Sequence, residues 1–170
     1  MKNIVNIAVV GLGQVGIYLL NELNTKKKEI ELKTGKKINI VALSAKNINK
    51  KRQFTINKKI FFKNPLEIFK KKKVDVLFEA IGLSDGISKK VVQTALMKKI
   101  HVITPNKALI SKHGNDLAKT AEKNNVNLEF EASVAGGIPI IRSIKECLAT
   151  NKISKVYGIL NGTSNYILSE

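Results

Sequence analysis

Apolar runs at 4–10, 38–44, 74–79, 100–103, 126–131 and 153–160 alternate with amphipathic stretches at 14–28, 65–72, 87–98, 106–124 and 139–149. Strands that alternate with helices in this way build βαβ units. The pattern therefore predicts an α/β fold of the Rossmann-like, doubly wound kind, a mostly parallel sheet with helices on both faces. "KIFFKN" at 59–64 reads as one more short strand. Pro65 suits the first turn of a helix after Asn64, and Pro139 does the same after Gly136-Gly137. Residues 21–37 extend the first helix, break at Gly35 and, being densely charged, read as a solvated insertion.

A chain of 170 residues, 44% of them hydrophobic, has the size and composition of one globular domain with a proper core. No apolar run approaches the ~18 residues of a membrane span. Met1-Lys2-Asn3 leads straight into the first apolar run without the pattern of a secretory signal, so the expected location is cytoplasmic. Cys147 is the only cysteine, which leaves no disulfide framework and no thiolate cluster for zinc. It recurs at helical spacing with Ile140, Ile141, Ile144 and Leu148, and reads as a buried core thiol rather than a nucleophile. Neither His101, expected in a strand, nor His113, expected on a helix surface, has a second ligand at metal-binding spacing.

The formal charge of +17 invites comparison with nucleic-acid binders. Arg52 and Arg142 are the only arginines, however, and lysine, asparagine and isoleucine are all abundant, as AT-rich codons would make them. The lysine runs at 26–28, 50–51 and 70–73 fall at expected helix ends and loops, with no aromatics between them to stack on bases. A solvated lysine background explains the charge better than a nucleic-acid surface.

"VVGLGQVGIYLL" at 9–20 holds Gly11, Gly13 and Gly16 at the spacing G-x-G-x-x-G. Alone the pattern is weak, and a tight βα turn that binds nothing would also satisfy it. Its context is what a dinucleotide turn requires: the strand "IVNIAVV" before it and a helix after it, whose N-terminus offers free N–H groups and partial positive charge to a pyrophosphate. Gly11 would make the turn, Gly13 would admit the phosphates and Gly16 would let the helix lie close to the sheet. The expected contacts are Gly11, Leu12, Gly13, Gln14, Val15 and Gly16. The second strand ends in Ser44-Ala45-Lys46, with Lys50, Lys51 and Arg52 close behind and no acidic residue for a ribose hydroxyl. That favours NADP over NAD, although the same lysines could belong to the general background.

"FEAIGLSDG" (78–86), "TPNKALISKHG" (104–114), "FEASVAGGIPII" (130–141) and "GILNGTSNYILSE" (158–170) follow the glycine turn in an order that resembles the homoserine dehydrogenase family across nearly the whole chain. The resemblance implies reversible NAD(P)-dependent interconversion of homoserine and aspartate 4-semialdehyde, in the pathway to threonine and methionine. It implies that Ile81, Gly82 and Ser84 contact the cofactor, in addition to Ser44 and Lys46, which the end of the second strand already offers to it. Leu83 and Ile87 stand where the family commonly has Gly and Pro. Lys107 matches a lysine that touches cofactor and active site, where a cation can stabilise negative charge on the substrate oxygen; without the resemblance it is an ordinary exposed lysine at a helix start. "EASVAGGIP" resembles a monovalent-cation loop and would hold sodium on oxygens of Glu131, Val134, Gly136 and Ile138, oxygen donors being suited to hard cations. Gly136-Gly137 could equally be only the turn into the Pro139 helix.

Residues 1–150 are thus expected to form an NAD(P)-binding Rossmann domain, and 151–170 to begin a catalytic and dimerisation domain. The family's downstream Glu, Asp and second Lys, which bind homoserine and transfer the proton, have no counterparts up to Glu170. The resemblance ties homodimer formation to that downstream region. A nucleotide-binding regulatory module without catalysis is the alternative.

Overall fold

In a computed structural model, which describes residues 3–52, 54–158, 167 and 169, six strands form one wholly parallel sheet. The strands are β1 (Ile4–Val10), β2 (Lys37–Ser44), β3 (Phe61–Phe62), β4 (Val76–Glu79), β5 (His101–Ile103) and β6 (Leu128–Glu129), in the order β3-β2-β1-β4-β5-β6. This is the doubly wound arrangement. The chain moves outward from β1 to one edge, crosses back to β4, and proceeds to the other edge, so that loops diverge between the carboxyl ends of β1 and β4.

Successive residues of a strand face opposite sides, and β1 supplies both cores. Ile7 and Val9 pack with Leu12, Leu43 and Phe78 beneath Ile17 and Leu20 of α1 (Gln14–Thr25). Ala8 and Val10 face the other layer, formed by α3 (Ile68–Lys71), α4 (Ile87–Met97) and α5 (Lys107–Lys123). In α4 the buried residues Ser88, Val91, Val92, Ala95 and Leu96 recur at three- and four-residue intervals, as a helix lying on a sheet requires. Each fully buried Leu, Ile or Val on these faces stabilises the fold by about 1.5–3 kcal/mol.

The structure departs from the sequence expectations at element ends. The first helix does not run through to 28. It is interrupted at Lys26, and α2 (Lys27–Thr34) follows without a single buried residue, closed by Gly35 in a left-handed conformation. The stretch 65–72 divides into a 3-10 turn at Pro65–Glu67 and the short α3, with the Asn64 side chain capping Leu66 N–H. The strand expected at 126–131 is reduced to Leu128–Glu129, because Glu131–Ser133 turns as a 3-10 helix.

The largest departures lie after residue 130. The helix expected at 139–149 is one turn, α6 (Ile140–Arg142), continued as a π-type turn over Ser143–Cys147. Cys147 is exposed rather than buried in a core, and Ile140 and Leu148 are 37% and 41% exposed. Helical spacing defines an apolar face, but only another element can cover it, and none of the described residues does so fully here. Residues 152–158 have no regular structure where a strand was expected, and most of the 158–170 element lies outside the described residues. Among the described residues no helix is long and apolar enough to cross a membrane.

Candidate functional site

The glycine turn joins β1 to α1 at the point where the strand order reverses. Gly11 has φ +96°, and a Cβ there would fall 2.3 Å from the backbone carbonyl of Ala80 just beyond β4. A Cβ on Gly16 would meet the Gly11 carbonyl oxygen at 2.0 Å, whereas the nearest sheet atom, on Val9, is 3.9 Å away. Gly16 therefore lets the helix close onto its own turn more than onto the sheet. Gly13 differs from both. Its backbone is extended (φ −81°, ψ −164°), and a Cβ would touch nothing within 4 Å.

That open space faces the start of α1. No side chain caps this helix and no acidic residue lies in its first turn, so the leading N–H groups and the positive end of the helix dipole are left for an external acceptor. A cavity of about 680 Å³ begins there, bounded by Gly13, Gln14, Val15 and Tyr18 on one side and Lys50, Lys51 and Arg52 on the other. A second cavity of about 690 Å³ lies under Phe54 and Ile60, between Leu20 and Ile38, away from the helix start.

The residues assigned to this end have unequal roles. The Leu12 side chain is buried in the core, so any contact it makes outward is through its main chain. Ser44 is 2% exposed, and its carbonyl receives the Gly11 N–H at 2.9 Å, which ties the end of β2 to the turn. Lys46 is exposed and does not border the cavity. Arg52 is not a free cation. Four of its N–H groups reach main-chain carbonyls: Nε to Leu12 (3.0 Å), Nη1 to Ile48 (3.1 Å) and Lys50 (2.8 Å), and Nη2 to Asn47 (2.6 Å). It pins the 46–52 loop against the glycine turn, and this leaves Lys50 and Lys51 as the cations at the cavity.

The opposite wall is built around Glu79, a carboxyl group with no exposed surface at the end of β4. Its Oε1 accepts from Ile81 N–H (2.8 Å) and Ser88 Oγ (2.7 Å), and its Oε2 accepts from Thr104 Oγ1 (2.6 Å). Asn106 completes the group: its N–H donates to Thr104 Oγ1, its Nδ2 donates to Leu83 O (2.9 Å) and Ser88 Oγ (3.0 Å), and its Oδ1 caps α5 at Leu109 N–H. The network brings the loop carrying Ile81, Gly82 and Ser84 against the turn that presents Lys107, the exposed first residue of α5. Further out, Asp85 bonds Lys112 Nζ (2.7 Å), His113 Nε2 (2.9 Å) and Ser84 Oγ (2.8 Å). The lysine first, then the histidine and serine, hold its carboxyl well below the usual carboxylate range.

Sequence reasoning named Ile81, Gly82, Ser84 and Lys107 but missed the Glu79 network that joins their segments. The available signal was a glutamate directly after the apolar stretch "VLF" (76–78), since a carboxyl group on a strand buried on both faces needs donors waiting for it.

The proposed cation loop is a turn of unusual backbone. Ala135, Gly136 and Gly137 all have positive φ (52°, 57° and 110°). The Glu131 carboxylate receives Ile141 N–H (3.0 Å) and Arg142 N–H (2.7 Å), capping α6. The carbonyls of Glu131 and Ile138 accept Val134 N–H (3.1 Å) and Ile140 N–H (2.8 Å), each retaining a second lone pair. No group of three or more His, Cys, Asp or Glu side chains that could hold a metal occurs among the described residues.

Residues 11–131 match the family profile described as homoserine dehydrogenase, NAD binding domain, and residues 139–170 match the one described as homoserine dehydrogenase. Homoserine dehydrogenase of Neisseria gonorrhoeae is 43% identical over 166 residues, covering 98% of this chain and 38% of that protein. The Bacillus subtilis homoserine dehydrogenase is 34% identical over the same shares. Among solved structures, a homoserine dehydrogenase from Thiobacillus denitrificans superposes with a TM-score of 0.81 at 33% identity, over 99% of this chain and 39% of that one. S. aureus homoserine dehydrogenase at pH 6.0 gives 0.77 at 40% identity, over 99% and 41%. The chain thus spans about 38% of the length of the curated relatives it matches. With the 3-2-1-4-5-6 sheet and the glycine turn at its switch point, these matches establish that the chain belongs to the homoserine dehydrogenase family and contains that family's NAD-binding domain.

Proposed function

We propose that this chain is the cofactor-binding part of a homoserine dehydrogenase that interconverts homoserine and aspartate 4-semialdehyde in the cytoplasm, on the route to threonine and methionine. The observation that carries the reading is Gly13. Gly11 and Gly16 are required by the chain's own packing, but none of the described residues comes within 4 Å of where a Gly13 Cβ would lie. A pyrophosphate on the uncapped N–H groups of α1 accounts for that space.

The nicotinamide group, when bound, supplies or accepts the hydride. The residues that would line its end are Ile81, Gly82 and Ser84, with Lys107 on the facing turn. The Lys107 ammonium would stabilise negative charge on the substrate oxygen, as a fixed cation does in a site shielded from water. Homodimer formation belongs to the same proposal, as does the division into a cofactor domain at 1–150 and the start of a catalytic domain at 151–170.

NADP is the favoured cofactor, because the cavity beside the turn offers Lys50 and Lys51 and, among the described residues, no carboxylate to a ribose. Titration with NADPH and NADH, followed by nicotinamide fluorescence, tests the reading. It stands on tighter NADPH binding, loses its cofactor preference on equal affinities, and falls if neither cofactor binds. The oxygens of Glu131, Val134, Gly136 and Ile138 suit a monovalent cation such as sodium, being uncharged hard donors. A rise in melting temperature with sodium but not with an equal concentration of a bulky organic cation supports that site, and an equal response to both removes it.

A further inference from the structure

Glu79 is a fully buried carboxyl group whose donors are all neutral: one backbone N–H, two hydroxyls and an amide. A leucine at the same place would avoid the cost of burying it, so pure core stability does not explain the residue. What the carboxyl group does that an apolar side chain cannot is join three separate segments. One oxygen holds Ile81 at the start of the 80–86 loop and Ser88 in the first turn of α4; the other holds Thr104, which in turn holds the Asn106 N–H. Asn106 reaches back to Leu83 O and caps α5, and Lys107 is the next residue.

We propose that Glu79 is a positioning residue: by dividing its two oxygens between these loops it fixes Lys107 relative to the Ile81–Ser84 loop, and so holds the nicotinamide end of the cofactor. The inference rests on the cofactor reading above. It predicts that the network governs how the nicotinamide is held, whereas affinity comes mainly from the phosphate end at Gly13.

The test uses this chain with NADPH, reading affinity by fluorescence anisotropy and nicotinamide immobilisation by emission enhancement. Thr104→Val keeps the side-chain shape and removes the hydroxyl through which Glu79 Oε2 holds the Asn106 N–H; Glu79→Gln removes one of the two acceptor oxygens. The expected result for each is an affinity within about threefold of the parent chain, since the glycine turn is untouched, and an enhancement reduced by at least about half. Thr104→Ser should restore the enhancement. Adding Lys107→Ala to Thr104→Val should cost no further enhancement, because coupled residues are not additive.

Unchanged enhancement in Thr104→Val overturns the proposal, and so does additivity with Lys107→Ala. Parallel loss of affinity and enhancement, with a lowered melting temperature, shows that the network only holds the fold and overturns it as well. If Glu79→Gln fails to fold, the Thr104 pair decides. A parent chain that binds NADPH without enhancement defeats this inference and spares the cofactor reading, whereas one that binds no NADPH defeats both.

Discussion

The two walls of the crevice are built by opposite means. At the end of β1 the site is made of backbone and absence: three glycines, an uncapped helix start, and a space that no side chain among the described residues enters. At the ends of β4 and β5 it is made of a filled interior, where Glu79, Ser88, Thr104 and Asn106 satisfy one another with almost no exposure. A phosphate needs room and free N–H groups, which glycine provides. On the proposed function, a reacting ring and a lysine beside it would need fixed relative positions, and a closed network of hydrogen bonds is the means to supply them.

The largest expected effect concerns the two glycines that the fold itself demands. Gly16→Ala would drive a methyl to 2.0 Å from the Gly11 carbonyl oxygen, and Gly11→Ala would add a positive φ to a clash at 2.3 Å with Ala80. Each should lower the unfolding free energy by upwards of about 3 kcal/mol, read from the urea midpoint. A loss below ~1 kcal/mol in both would mean that the turn relaxes easily and that the contrast with Gly13 is weaker than drawn.

A smaller effect sharpens the phosphate side. Lys50→Glu with Lys51→Glu exchanges two exposed attractions for two repulsions, each worth about 0.3–0.4 kcal/mol at this exposure, so NADPH affinity should fall about tenfold. NADH should lose less, for want of the extra phosphate. Equal losses would place the lysines at the pyrophosphate rather than at a 2′-phosphate. Arg52 is unsuitable for this test, because its replacement releases the loop it pins.

The smallest effect lies on the outer rim of the filled wall. Asp85 is held below the usual carboxylate range in the folded protein by Lys112, His113 and Ser84. Its contribution is therefore fully present above the ordinary carboxylate pKa and is lost only as pH falls through the depressed value. Asp85→Asn should lower the melting temperature slightly at neutral pH and leave it unchanged in strong acid, where both side chains are neutral. A difference that persists in strong acid would assign the effect to something other than the charge.

Much of the first wall was legible in the sequence. The alternation of apolar runs located five strands of the sheet and "KIFFKN" the sixth, while the run at 153–160 reads as a strand that the described residues do not form; the spacing of Gly11, Gly13 and Gly16 placed the turn. What spacing could not separate was the reason for each glycine, since packing and ligand clearance leave the same letter. The second wall was legible only as the segments Ile81–Ser84 and Thr104–Lys107, because the bonds joining them connect residues up to 27 positions apart. Arg52 was misread for a related reason: its charge is visible in the sequence, but the four carbonyls that occupy it are not. Cys147 shows the remaining limit, for Ile140, Ile141 and Ile144 define an apolar side without defining what covers it.

The central claim is that Gly13 is kept small for a ligand and not for the fold. Its most direct test is Gly13→Val, with melting temperature and NADPH affinity measured on the same preparation. The account predicts a stability loss of no more than about 1 kcal/mol, from the poorer N-cap residue, and an affinity reduced at least about 100-fold because the side chain fills the phosphate space. Undiminished NADPH binding, or a loss of binding that merely accompanies unfolding, would contradict it.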